Sequence, residues 1–320
     1  WQKEGNAGTD ASQHFIGTTD AQALKFRINN TPAGRLDSVQ TFLGKNAGTN
    51  TTSGIYNVAI GSESLVNNMT GGDNTAVGTG SLYFNNASQN TAIGRNALFN
   101  NQSGFANTAI GNHALYSNAA RSLLVAVGDS ALFHNGLNAT ELYHGTANTA
   151  LGVNSLNKNK TGYDNTAVGY QAMYSNENGS ANTANGVLSL YKNSTGQANT
   201  AVGYQSLSNN TIGSANTAIG YASLVTNQLG VANTAVGYQA LTLNFSGINN
   251  VGMGAFSLFY STGGNQNTAL GYSSQYFNQL GSRNTAIGSG SLYSNTNGVS
   301  NEWRAKRPNN RNDAKIKWPY

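Results

Sequence analysis

Between Thr41 and Gly288, apolar and small polar residues recur on a fixed beat. An aliphatic residue or Met stands immediately before a glycine at fourteen of fifteen places, with Asn185 as the exception. The glycines are Gly44, Gly61, Gly78, Gly94, Gly111, Gly128, Gly152, Gly169, Gly186, Gly203, Gly220, Gly237, Gly254, Gly271 and Gly288. Twelve of the fourteen intervals are 17 residues, one is 16 and one is 24, so a short coil is stacked on itself many times. With the glycine as position zero, Asn occupies −4, Thr −3, Ala −2 and Val or Ile −1. Leu follows at +4, Asn at +7 and, in most coils, a second glycine at +10.

A unit this short cannot hold the helix pair of the common helical repeats. It suits two short strands and two turns, one rung of a parallel β-solenoid. The expected fold class is therefore all-β, a parallel β-solenoid or β-roll of about fifteen 17-residue coils. Glycine at zero and +10 supplies turns that need positive φ or close backbone approach. Side chains alternate along a strand, so Thr −3 and Val/Ile −1 share one face, and Ala −2 and Gly share the other. Val/Ile and Leu +4 are expected inside the coil, leaving the Ala/Gly face smooth enough for another chain. One thin column buries little apolar surface, which favours three columns in a homotrimer. Fifteen rungs at ~4.8 Å give a rod of about 70 Å.

The asparagines fall at the same place in every rung, among them Asn74, Asn107, Asn165, Asn199, Asn216 and Asn233 at −4, and Asn176, Asn193, Asn210 and Asn227 at +7. Stacked side-chain amides can satisfy turn backbone up and down a column. Rings also recur. Tyr83, Phe99, Tyr116, Phe133, Tyr174, Tyr191, Phe259, Tyr276 and Tyr293 stand at +5, and Tyr170, Tyr204, Tyr221, Tyr238 and Tyr272 at +1. Such a row suits either glycan stacking or ring-on-ring packing between rungs.

Segments such as Asn57-Val58-Ala59-Ile60-Gly61 and Asn216-Thr217-Ala218-Ile219-Gly220 resemble the coils of YadA-like heads in trimeric autotransporter adhesins. The period differs, being 17 rather than about 14. A nearer resemblance is to secreted repeat proteins of Bacteroidetes and to phage tail-fibre-like proteins, through runs such as Asn233 to Leu241. The stretch from Trp1 through Phe15–Asp20 to Phe26–Asn30 and Ala33–Asp37 is similar to their N-terminal module. The resemblance implies a left-handed, trimeric, extracellular or virion-borne fibre with an adhesive or structural role.

Composition narrows the functional classes. Charged residues are 9% of the chain, and the twelve acidic ones recur at no common coil position, so the paired carboxylates of a polysaccharide-cleaving solenoid are not indicated. The expectation is a non-enzyme with no cofactor and no metal site. Cysteine is absent. No apolar run approaches the ~20 residues of a membrane span, so direct membrane insertion is not expected. The chain opens on Trp1, as a processed product does, and a missing signal peptide does not argue against secretion. Of the net charge of +5, residues 302–320 carry +4 (six cations less two anions), so a nucleic-acid partner is not indicated. The expected partners are further copies of the chain and, through the rings, cell-surface or environmental glycans. An ice-binding solenoid is a further class, although Thr would point inward if Val/Ile does.

Three regions depart from the beat. Residues 1–39 read as a β-rich cap or attachment module ahead of the 40–301 solenoid, and residues 302–320 as a basic tail. Seven extra residues lie within 136–144, where His134, Glu141 and His144 gather without metal-ligand spacing. This insertion reads as a surface bulge, the one loop able to give specificity.

Overall fold

The computed structural model describes Ala7, Asp10 and residues 16–304. The expected attachment module therefore lies partly outside the described residues, and the tail beyond Arg304 wholly so. Strands β1 (Leu24–Ile28) and β2 (Thr31–Leu36) form an antiparallel hairpin, and β2 pairs antiparallel with β3 (Thr41–Leu43). From β3 onward every strand is three residues long and pairs in parallel with the next, as far as β17 (Thr285–Ile287) and β18 (Glu302–Arg304). The chain is thus an all-β parallel solenoid of about sixteen coils. The ladder runs one rung past the motif, because Asn301 and Glu302–Arg304 pair with the preceding coil despite their changed sequence.

Register follows the repeat residue for residue. In β12 (Thr200–Val202) and β13 (Thr217–Ile219), Thr200 lies opposite Thr217, Ala201 opposite Ala218 and Val202 opposite Ile219. Each coil has one strand, not the two expected. Beyond the glycine, positions +2 and +4 are left-handed, as at Gln205 (φ 54) and Leu207 (φ 49), and this breaks any extended run. The backbone there is still paired between coils. Gln205 N donates to Val187 O, and Leu207 N to Ser223 O, each at 3.0 Å. A left-handed Leu costs ~1–2 kcal/mol. Burying its side chain returns ~1.5–3 kcal/mol, and Leu207 is fully buried. Burial covers the strain.

The two faces of the strand are the reverse of the expectation. Ala201 and Ala218 are completely buried, whereas Ile219 is 40% exposed. The cause is thickness. The interior holds Ala −2 against Leu +4 and the small residue at +3, with an Asn column on either side, and has no space for a β-branched chain. Gly252 shows the limit, since a Cβ placed there would sit 2.7 Å from Leu241 Cδ1. The Ala face is consequently interior and unavailable to a neighbouring chain, and the aliphatic column is the outward one.

The two glycines act differently. Gly203 has φ 128, and a Cβ on it would lie 2.5 Å from Gly220 O. Gly213 needs no positive φ, but a Cβ would be 2.5 Å from Gly230 O and Asn210 Oδ1. At the N-terminal end Phe42 replaces the inward Ala, and the Arg35 guanidinium lies 4.9 Å over its ring while Arg35 Nε pairs with Asp37 at 3.1 Å. The hairpin thereby covers the first coil, whose edge would otherwise be open.

Inward and outward positions should separate in urea unfolding. Ala218→Leu is expected to lose ~1–3 kcal/mol through overpacking, while Val202→Thr on the outer face stays within about 0.5 kcal/mol. Equal losses would contradict the face assignment.

Candidate functional site

The asparagine columns are structural ladders. Asn216 Nδ2 donates to Gly230 O at 2.8 Å and to Asn199 Oδ1 at 3.1 Å. Its Oδ1 accepts from Asn233 N at 3.0 Å and from Asn233 Nδ2 at 3.1 Å. In the second column Asn210 Nδ2 donates to Asn193 Oδ1 at 2.7 Å and to Gly213 O at 2.8 Å. Asn216, Asn210 and the asparagines stacked directly against them are buried with their amide groups bonded to the protein itself, whereas Asn244 Oδ1, where Ser261 takes the next place in the column, is buried without a partner. Where Leu124 interrupts the −4 column, its own N–H still reaches Asn107 Oδ1 at 3.1 Å.

The rings at +5 also serve each other. Tyr83, Phe99, Tyr116 and Phe133 form a stack with centroids 4.9–5.2 Å apart and planes within 15°. Tyr174 stacks on Tyr191 at 5.5 Å, and Phe259, Tyr276 and Tyr293 continue the pattern at 5.2 and 5.1 Å. Stacking along the rod turns ring faces toward one another and ring edges outward, so a sugar meets edges along most of the row. Burial, then the neighbouring Tyr260, Tyr293 and Tyr272, hold the Tyr276 hydroxyl above its ordinary pKa. Three of the +1 tyrosines form their own stack, Tyr204 on Tyr221 on Tyr238, each step 5.2 Å, and all three are exposed.

The outer face of the sheet is a second regular surface. Its Thr −3 and aliphatic −1 columns carry no charged residue over the fifteen coils. Ile60, Ile93, Ile219 and Met253 are exposed there at 39–45%. Thr points outward with them, so the argument that set Thr inside does not hold.

The insertion is braced from the coil below. Arg121 occupies the +10 position where most coils have glycine. Its Nη1 donates to Glu141 O at 2.9 Å and its Nη2 to Ala139 O at 3.0 Å. Gly136 and Gly145 admit the arginine, since a Cβ at Gly136 would lie 2.6 Å from Arg121 Cγ. The detour in the chain makes room for a side chain that a regular coil excludes. That pairing was readable in the sequence as a non-glycine at +10 one coil ahead of the insertion. Leu142 projects from the loop at 92% exposure. His144 Nδ1 accepts from Glu141 N at 3.3 Å, closing the loop on itself. His134 instead packs against Phe133 at 4.7 Å, and burial, followed by Lys158 and Lys160, holds its pKa below the ordinary value. Among the described residues, no three His, Cys, Asp or Glu side chains gather around a common point.

No protein-family model matches this chain, and no curated protein matches it.

Asn216→Ala removes two donors and an acceptor from a buried ladder and is expected to cost ~1–3 kcal/mol in urea unfolding. Exposed Asn112→Ala should stay within about 0.5 kcal/mol. Arg121→Ala should leave the global unfolding midpoint nearly unchanged while chymotrypsin cleaves at Leu142–Tyr143 several-fold faster; an unaltered cleavage rate would mean that the arginine does not hold the loop.

Proposed function

We propose that this chain is the shaft of a non-catalytic extracellular structural fibre, adhesin-like, in which copies assemble as a homotrimer. The observation that carries the reading is the outward Thr and aliphatic face, uncharged along fifteen coils and apolar enough to require a cover. Copies of an in-register column meet such a face with matching length and matching rise, because both partners carry the same repeat. The same side chains recur in coil after coil, and most of their buried polar groups hold coils together, which suits a structural rod better than a catalytic centre. A bacterial surface fibre and a phage tail-fibre shaft are the same object in these terms.

A second reading is favoured by one specific observation, the outward Thr column. Twelve hydroxyl–methyl side chains, one per rung and interrupted at Val58, Val125 and Val251, stand beside an aliphatic column as an uncharged array of the kind that meets ice. The two readings compete for the same face. Light-scattering mass measurement on the purified chain should give three times the chain mass, with no thermal hysteresis. A monomer that depresses the freezing point would replace the first reading with the second, and a monomer without hysteresis would remove both.

A further inference from the structure

The outer face is not uniform along the rod, and the difference lies in its flanks. In the coils from Gly44 to Gly128, position +1 is polar or charged, including Lys45, Arg95 and Asp129. In the eight coils from Gly152 to Gly271 the same position holds only Val, Tyr or Ala. Val187, Tyr204, Tyr221 and Tyr238 are exposed there at 39–48%. On the other flank, position −5 is Ala in four consecutive coils, Ala181, Ala198, Ala215 and Ala232, all exposed. Over residues 193–282 the chain has no Asp, Glu, Lys, Arg or His. Charge normally keeps a surface soluble and unassociated, and this segment has given it up.

We infer that copies of this chain hold together chiefly along the C-terminal half of the rod, on a strip made of the Ala −5, Thr −3, aliphatic −1 and Tyr/Val +1 columns, while the N-terminal half, with its polar +1 flank, adds less to the contact. The inference rests on the assembly proposed above and adds where along the rod contact is made. Size agrees. Eight rungs at ~4.8 Å and four columns at ~6.6 Å make a patch of about 1,000 Å², above the roughly 800 Å² each partner gives to a standard stable interface. Chemistry agrees as well. The tyrosines are already stacked on one another, so they lose little freedom when a second surface covers them, and tyrosine is the residue type enriched in interface cores. The exposed alanines on the opposite flank leave a low rim into which the raised tyrosine edges of a second copy fit.

The test uses the whole chain and analytical ultracentrifugation. One triple variant carries Tyr204→Glu, Tyr221→Glu and Tyr238→Glu. A control carries Ser62→Glu, Thr79→Glu and Arg95→Glu, the same column in three consecutive coils, so that glutamate–glutamate repulsion within the rod is matched. A Tyr204→Ser, Tyr221→Ser, Tyr238→Ser variant is included in case the first does not fold, and far-UV circular dichroism checks all three. The expected result is a dissociation constant raised at least tenfold by the tyrosine variants and less than threefold by the control. If wild type assembles and both regions respond equally, or the control responds more, the inference is overturned while the fibre reading stands. If wild type is monomeric, the fibre reading is overturned and this inference with it.

Discussion

Everything in this fold depends on coils approaching within hydrogen-bonding distance of one another all the way round. The strand covers only three of seventeen residues, so a sheet ladder alone would leave most of the backbone unpaired. The buried asparagines extend the ladder into the turns, using Oδ1 as a stand-in carbonyl for the next coil's N–H and Nδ2 as a stand-in amide for a turn carbonyl. Glycine at zero and at +10 is the complementary requirement, because any side chain would strike the backbone of the next coil. Asn and Gly recur together because one fills the space beside the backbone and the other keeps it clear.

The thin interior follows from that closeness. Seventeen residues enclose a lumen that Ala, Leu and two asparagines fill, and the larger β-branched residues are displaced to the outside. A soluble domain ordinarily places Val and Ile in its core. Here the core is built from methyl groups and amides, and the aliphatic residues become a surface. This inversion is what makes the rod a component to be covered rather than a finished globule.

Exceptions to the repeat are accommodated by paired changes. Phe42 fills the first coil where no earlier coil supports it, and Arg35 closes over it. Arg121 occupies a site forbidden to side chains because the following coil detours around it. Gln275, which replaces the inward Leu in the coil at Gly271, is matched on one side only: its Nε2 donates to Thr268 O at 2.9 Å and to Asn284 O at 3.2 Å, while its Oε1 is buried without a partner.

The sequence by itself determined the period, the solenoid class, the two asparagine ladders, the glycine roles and the site of the insertion, because each is a statement about spacing along the chain. Alternation in the strand also divided Thr and Val from Ala. It did not decide which set faces inward, since period two is the same on either side of a sheet. Only the tertiary structure did, through the width of the lumen, which admits a methyl group opposite Leu and excludes a β-branched side chain. The same holds for the rings. Their positions were readable at +5 and +1, but whether their faces meet solvent or one another depends on ring orientation, which the short rise between coils fixes as stacking along the rod.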